Sequence, residues 1–278
     1  MGHDTAGCVG PTSIGYLGLS PCDLEGDGMR VEISVESIHG VDIAARCGAD
    51  RVELCGALAD GGLTPSHGLL ELAVAHSKIT EVHALIRPRP GDFRYTRSEL
   101  AVMMRDIRAA DRAGAHGFVV GVLASDGLLD TEACAALIDA AEHKPVTLHR
   151  AIDASSSPAR VLDQAMELGF TRVLTSGGHR WALDGAPTIA ALVTQASDRI
   201  TIMACGGIRA SSALQIITAT GVRDIHAAVR SPVRGAEAGA VSFTGIGVPD
   251  GFDHFDTDEA EVSALCSIVD ATRRGRHD

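Results

Sequence analysis

Residues 48–55 read Gly-Ala-Asp-Arg-Val-Glu-Leu-Cys, and this stretch contains a turn that recurs along the chain. Its glycine follows a helical pattern, and an apolar strand pattern begins a few residues later. A glycine just past a helix can take the left-handed conformation that ends the helix. The same junction recurs at Gly114, Gly169 and Gly221. Short turns of this kind are expected between the helices and strands of a repeated βα fold.

From residue 30 onward, eight strand patterns alternate with eight helical patterns. Eight βα units with right-handed crossovers can close into a (β/α)8 or TIM barrel, with active residues at the C-terminal ends of the strands. The alternative is an open doubly wound sheet, but no G-x-G-x-x-G motif follows the first strand. The predicted strands are 31–36, 51–55, 81–87, 117–122, 145–149, 171–175, 199–204 and 224–229, and the predicted helices are 37–47, 66–77, 98–113, 131–142, 157–168, 186–197, 210–219 and 258–273.

We predict a single α/β domain, a TIM barrel over residues 29–278, behind a flexible extension over residues 1–28. The extension is rich in Gly, Pro, Ser and Asp and has no apolar period. The segment 230–257 is longer than a typical connection, and we expect it to cover the barrel mouth.

Composition narrows the class of protein. Hydrophobic residues make up 45% of the chain and aromatic residues only 3%, which predicts a core of Ala, Val, Leu and Ile. The net charge of −12 argues against nucleic acid and anionic lipid as partners. No apolar run reaches the roughly 18 residues of a membrane span, and the N-terminus lacks a secretion signal. We therefore expect a cytoplasmic protein without a membrane partner.

The chain has seven cysteines, which is an odd number, and it has no C-x-x-C pair. This pattern supports neither a disulfide framework nor a structural zinc site. Most of them are expected to be small buried side chains in a reducing compartment.

Ionisable side chains fall on the inward-facing positions of several predicted strands. Charged groups are rarely buried without partners, so we expect a cluster of carboxylate, guanidinium and imidazole groups in the upper barrel. The cluster could bind a polar substrate, with its histidine carrying protons, or it could be a salt-bridge network without chemistry. Its predicted core is Glu36, Glu53, Arg87 and His149, and the other inward positions are Glu32, Ser34, Cys55, His83, Thr147 and His226.

Two of these strand ends suggest more specific roles. Arg87 begins a proline-stiffened loop and could hold an anion, whereas Arg94 and Arg97 are better explained as surface residues. Asp153 follows His149 closely enough to orient it, to pair with Arg150 or to cap the next helix, and the sequence leaves these alternatives open.

Two glycine-containing turns suggest a phosphate site. Ser176-Gly177 follows the sixth strand and Gly206-Gly207 follows the seventh. Backbone amides near helix N-termini suit phosphate, and many barrels bind phosphate after their late strands. Tight turns explain the same glycines equally well.

Cys55 is the leading candidate for a metal ligand because it ends the second strand. Met203 and Cys205 lie on strand 7, and soft sulfur ligands of this kind suit Cu(I). A lone cysteine, however, is more often a core residue.

An ordered set of motifs resembles the CutC copper-homeostasis family. The set covers most of the chain, from about residue 30 to residue 230. It consists of Val35-Glu-Ser37, Gly48-Ala-Asp-Arg-Val-Glu-Leu-Cys55, Gly61-Gly-Leu-Thr-Pro-Ser66, Ile86-Arg-Pro-Arg with Gly91-Asp-Phe93, Gly121-Val-Leu123, His149-Arg-Ala151 with Asp153, Leu174-Thr-Ser-Gly-Gly178, Ile202-Met-Ala204 with Gly206-Gly-Ile208, and His226-Ala227.

The resemblance implies a cytoplasmic (β/α)8 barrel, commonly homo-oligomeric, that takes part in copper homeostasis and binds Cu(I) through cysteine. Cys55 matches one family cysteine, but Ser34 stands where the family often has a second. A two-thiolate site between strands 1 and 2 is therefore unavailable, because a serine hydroxyl is a hard and neutral donor.

Two hypotheses follow. The first is a copper-homeostasis protein that binds Cu(I) weakly or conditionally at Cys55. The second is an enzyme of lyase, isomerase or hydrolase type that acts on a small anionic or sugar-like substrate. In the second case, Arg87 would hold the anion, Glu36 and Glu53 would orient polar groups, and His149 would move the proton. A third possibility is a binding module with no turnover.

Overall fold

The computed structural model describes residues 28–77, 79–235, 244–245 and 247–275. Its first eight strands form a closed parallel barrel in sequence order, so the predicted TIM barrel is confirmed. The predicted extension, apart from Gly28, lies outside the described residues. The strands are β1 (Arg30–Val35), β2 (Arg51–Leu54), β3 (Glu81–Leu85), β4 (Gly117–Val120), β5 (Val146–Leu148), β6 (Arg172–Thr175), β7 (Thr201–Ala204), β8 (Asp224–Ala227), β9 (Arg230–Val233) and β10 (His254–Thr257).

A helix follows each barrel strand and covers the outside of the barrel. Every predicted helix is present, with its ends displaced by two residues or fewer, and none of the helices in the described residues has both the length and the apolar character of a membrane span. The helices are α1 (Ile38–Arg46), α2 (His67–His76), α3 (Arg97–Arg112), α4 (Thr131–Ala140), α5 (Pro158–Leu168), α6 (Ala186–Ala196), α7 (Ala210–Thr220) and α8 (Glu259–Gly275).

The predicted glycine turns have the expected backbone. Gly48, Gly114, Gly169 and Gly221 all have positive φ, between 73° and 90°. A residue with a Cβ is strained in this region, so glycine is the suitable residue for ending these helices. Each turn then leads directly into the next barrel strand.

The strand register places the predicted polar side chains inside the barrel. Ser34 lies beside Glu53 on β2, and Glu53 lies beside His83 on β3. On β4, Gly117 leaves room for the imidazole of His83, since a Cβ there would lie 2.6 Å from Cε1 of that ring. The main apolar core lies on the other side of the strands, between the barrel and its helices, where Phe118 is fully buried.

The long segment after β8 contains a small antiparallel sheet of β9 and β10. Its Arg230 pairs with Glu36 at 3.3 Å, and its Asp256 accepts hydrogen bonds from Ser37 and contacts His39. The described part of this segment is therefore attached to the end of β1 and the start of α1. Residues 236–243 and 246 lie outside the described residues.

The turn glycines can be tested with one matched pair of variants. We expect Gly48→Ala to lower the free energy of unfolding by roughly 1–2 kcal/mol, because alanine is strained in the left-handed conformation. The space around Gly48 is open, so a clash would not contribute.

Gly68→Ala is the control, since Gly68 also has open space but lies inside α2 without a positive φ. It should leave stability unchanged or raise it by up to about 1 kcal/mol. Urea unfolding followed by circular dichroism measures the free energy of unfolding of both variants. Equal effects of the two substitutions would contradict the role given to the turn.

Candidate functional site

A buried ion network lies inside the barrel. Nε of Arg51 donates to Glu32 at 2.5 Å, and its Nη2 donates to Asp224 at 2.9 Å. Arg172 donates to the same Asp224 oxygen at 2.9 Å and to the hydroxyl of Thr147 at 3.3 Å. All four charged side chains are at most 5% exposed. The network connects β1, β2, β6 and β8 across the interior.

A chain of carboxylate and imidazole groups continues from this network. Nδ1 of His226 lies 2.6 Å from Glu32, and its Nε2 lies 3.9 Å from Oε2 of Glu53. The hydroxyl of Ser34 donates to the same Glu53 oxygen at 2.9 Å. The imidazole is thus held between two carboxylates, one in hydrogen-bond contact and one slightly beyond it.

Burial and charge act in opposite directions on these groups. Burial alone would lower the pKa of His226, but the neighbouring charges of Glu53 and Glu32 outweigh it and raise that pKa. Burial raises the pKa of Glu53, although His226 opposes it. Burial would also raise the pKa of Glu32, but Arg51 and His226 hold it well below its usual range. Glu32 is therefore the fixed anion, whereas Glu53 and His226 are the groups placed to exchange protons.

Cys55 lies next to this chain of groups and is fully buried. Its Sγ makes only long contacts, 3.5 Å to the carbonyl of Val35 and 3.7 Å to the hydroxyl of Ser34. It packs with Leu85 and Val119. Burial, aided by the charge of Glu53, raises the pKa of the thiol, so the free protein holds it protonated.

Cys205 and Met203 belong to a different group of interior residues. They pack with Leu174, separately from the residues that surround Cys55. Burial also raises the pKa of the Cys205 thiol. Cys55 and Cys205 therefore pack in two separate hydrophobic clusters.

Glu36 and Arg87 hold the loop that covers Cys55. Glu36 accepts the backbone N–H of Leu58 at 2.9 Å. Arg87 donates from Nη1 to the carbonyls of Asp60 and Gly62, at 3.1 and 2.9 Å, and from Nη2 to the Gly91 carbonyl at 2.9 Å. Two residues predicted to contact a substrate thus also have clear structural contacts.

His149 lies at the end of β5, beside a neighbouring aromatic ring. The ring centroids of His149 and Phe93 are 4.6 Å apart, and the guanidinium carbon of Arg87 is 5.2 Å from the same Phe93 ring. Nδ1 of His149 accepts the backbone N–H of Ala151 at 3.1 Å. Burial, with a smaller effect of Arg87, lowers the pKa of His149 to about 3.

Asp153 organises the turn after β6. It pairs with Arg150 at 2.8 Å, which is one of the roles that the sequence left open. Its carboxylate also accepts hydrogen bonds from the backbone amides of Ser176 and Gly178 and from the hydroxyl of Thr175. The Ser176 amide that was suggested for a phosphate therefore already has an internal carboxylate as its acceptor, and we propose no phosphate site there. The amide of Gly177 donates to Thr175.

Gly206 and Gly207 form a turn against the loop that follows β6. Both have positive φ, and the carbonyl of Gly206 accepts the amide of Ala182 at 2.9 Å. The ring of Trp181 lies so close to Gly207 that a Cβ there would overlap it. Close packing accounts for this glycine pair, and a phosphate at this turn stays a prediction.

The structure divides the four residues of the predicted cluster. Glu53 lies with Ser34 and His226 in the interior, Glu36 and Arg87 share the loop above Cys55, and His149 joins Arg87 through Phe93. Sequence reasoning missed three interior charges, although Arg51 and Asp224 each stand two residues before an inward position that the sequence analysis named, Glu53 and His226. The missed residues are Arg51, Arg172 and Asp224.

Two donor sets bear on metal binding. Glu32, Glu53 and His226 offer ligand atoms within 4.8 Å of one another, but Glu32 is already bound to Arg51 and His226. These oxygen and nitrogen donors suit divalent ions better than Cu(I). Cys55 is the soft donor in this region, and its nearest side-chain hydroxyl, that of Ser34, is hard. The residues thus provide one ligand of the type that Cu(I) prefers.

The interior network can be tested by removing one charge. Asp224→Asn should lower the free energy of unfolding by about 3–5 kcal/mol, because Arg51 and Arg172 would lose a shared anion inside the barrel. Glu259→Gln is the control, since Glu259 pairs with Arg46 at 3.0 Å on the surface, where both side chains are over half exposed. That change should cost less than about 1 kcal/mol. Chemical denaturation measures the free energy of unfolding of both variants. Similar losses in the two variants would contradict the stabilising role given to the interior network.

The comparisons with known proteins agree on one family. The model of the CutC family matches residues 29–231. The family protein CutC of Xanthomonas campestris is 43% identical over 87% of this chain and 99% of its own. The human copper homeostasis protein cutC homolog is 43% identical over 74% of this chain and 75% of its own.

A solved structure supports the same conclusion. A crystal structure of CutC from Streptococcus agalactiae superposes with a TM-score of 0.68 at 36% identity, covering 71% of this chain and 97% of that chain. Several TIM-barrel structures below 25% identity, among them an aldolase at 16%, share the fold alone. The matched region contains the barrel strands, the interior network and Cys55, and this chain belongs to the CutC family.

Proposed function

We propose that this chain acts in copper homeostasis by binding Cu(I) at Cys55 inside the barrel. The observation that carries the proposal is a buried thiol at the C-terminal end of β2 with only long, weak contacts. Soft thiolate is the ligand type that favours Cu(I). The names of its relatives, which include a human copper homeostasis protein, support the same process.

Ser34 limits the strength of this binding. Its hydroxyl lies 3.7 Å from the thiol, in the place where a second sulfur would complete a two-thiolate site. Because the Cys55 thiol is protonated in the free protein, Cu(I) must displace that proton when it binds. We therefore expect one principal ligand and modest affinity.

An anaerobic competition titration against a chromophoric Cu(I) chelator tests this proposal. We expect stoichiometric binding that Cys55→Ser removes. Cys134→Ser is the control, because Cys134 is also a buried free cysteine but lies in α4, outside the barrel interior. Ser34→Cys should tighten binding at least about tenfold, or ~1.4 kcal/mol, since it supplies a second soft ligand.

Three outcomes would count against copper binding at Cys55. They are no binding above the chelator, binding that survives Cys55→Ser, and equal losses in Cys55→Ser and Cys134→Ser. Circular dichroism of each variant shows whether a loss reflects unfolding instead of a missing ligand.

A second candidate function is acid–base catalysis on a small anionic or sugar-like substrate. The specific observation in its favour is His226, held by Glu32 and facing Glu53 at 3.9 Å. Enzymes commonly bring an imidazole and a carboxyl group toward neutral pKa values by burial and neighbouring charge. His226→Gln separates the two functions, because it removes the imidazole of this pair and leaves both the Cys55 thiol and its charged neighbour Glu53 in place. A cytoplasmic location and a homo-oligomeric state stay predictions.

A further inference from the structure

One nitrogen of the His149 ring is used and the other is not. Nδ1 accepts the backbone N–H of Ala151, so the proton of the neutral ring is on Nε2. Nε2 is buried and has no hydrogen-bond partner among the described residues. A buried donor left without an acceptor is unfavourable, because it has lost its hydrogen bond to water and gained none in return. A ligand that accepts a hydrogen bond from this N–H would satisfy it.

The direction of this N–H is fixed by packing. The ring of His149 rests against Phe93, and Gly121 lies beneath it. A Cβ at Gly121 would be 2.6 Å from Cε1 and 2.7 Å from Nδ1 of the imidazole, so only glycine permits this approach. His149 also lies on the same side of the chain as Thr147, whose hydroxyl bonds to Arg172 inside the barrel. The donor is thus held in place at the barrel mouth before any ligand arrives.

Arg87 gives this corner a positive charge without a counter-ion. It is only 6% exposed, and its terminal nitrogens donate to backbone carbonyls, which are neutral. No carboxylate in the described part of the chain lies within 4.0 Å of it, and its Nε is buried without a hydrogen bond. Buried charges in proteins are generally paired, so a guanidinium in this state favours an anion.

We propose that the N–H of His149 binds an oxygen atom of a small oxyanion, a carboxylate or a phosphate, beside Arg87 at the mouth of the barrel. His149 then acts as a neutral hydrogen-bond donor, and Arg87 supplies the charge. This differs from the proton-carrying role that the sequence suggested for His149, because the low pKa of the ring keeps it neutral in the free protein. Arg87 also holds the loop over Cys55, but the oxyanion site needs no copper bound to that thiol.

Nitrogen-15 and proton NMR of the folded full chain tests the proposal directly. The probes are inorganic phosphate and acetate, titrated separately, so that the two kinds of oxyanion are distinguished. We expect the free protein to show the Nε2-protonated neutral tautomer of His149. One of the two anions should then move the Nε2 proton signal of His149 downfield in a saturable manner.

Two variants and one control complete the experiment. His149→Phe and Arg87→Met should each weaken binding of that anion by about tenfold or more, because each removes a donor or charge. Arg94→Gln should leave binding unchanged, since Arg94 is an exposed arginine of the same loop. Equal weakening by Arg87→Met and Arg94→Gln would show that anions bind through general positive charge, and binding unchanged in His149→Phe would show that its N–H is not used; either result overturns the proposal.

The wild-type spectra decide the question if a variant does not fold. Protonation at Nδ1 instead of Nε2, no saturable shift of the His149 signal, or no binding of either anion would each overturn the proposal. None of these results bears on Cys55, so the anion site and the copper site fail or succeed separately.

Discussion

The ion pairs of Arg51 inside the barrel are the interaction on which the rest of the site depends. A guanidinium with no solvent exposure requires anions around it, and Glu32 and Asp224 supply them from the two sides of the β1–β8 junction. Because Arg51 holds Glu32 ionised, Glu32 can hold the imidazole of His226. That imidazole in turn faces Glu53. The fixed charges low in the barrel thus act on the protonation of the groups above them, together with Glu53.

The region above this network contains two separate chemical environments. On the side of β1 and β2, Cys55 lies in apolar surroundings next to Ser34, beneath a loop held by Glu36 and Arg87. On the side of β5, His149 presents a neutral N–H next to the charge of Arg87. Arg87 connects the two, because it holds the loop over the thiol and stacks on the ring that supports His149. The two proposals together assign a soft ligand and an oxyanion site to one barrel mouth.

The sequence predicted the fold closely because its signals are local. Each βα unit carries its own apolar period, and glycines such as Gly48 and Gly114 mark where a helix must end. The inward positions were also predictable from the alternation of side chains along a strand. For this reason the strand pattern alone was enough to place Glu53 and His226 inside the barrel.

The arrangement of the site could not be predicted in the same way. Arg51 and Asp224 are 173 residues apart in the chain, and their contact exists only because the barrel closes. The carboxylate of Asp153 accepts the Ser176 amide that suggested phosphate, and only the packed loop shows this. Likewise, the protonated nitrogen of His149 depends on one backbone hydrogen bond to Ala151. The first two features arise from contacts between strands and loops that are distant in the chain, and the third from a local turn whose geometry the residue types do not determine.

The most direct test of this account is the protonation of His226, measured by nitrogen-15 NMR across neutral pH. The signals are assigned by their loss in His226→Gln. Both ring nitrogens should stay protonated above pH 6.5, the ordinary midpoint, because Glu53 and Glu32 favour the charged ring. A midpoint at or below 6.5 would show that the carboxylates do not control this imidazole, and would contradict the central role given to the buried network.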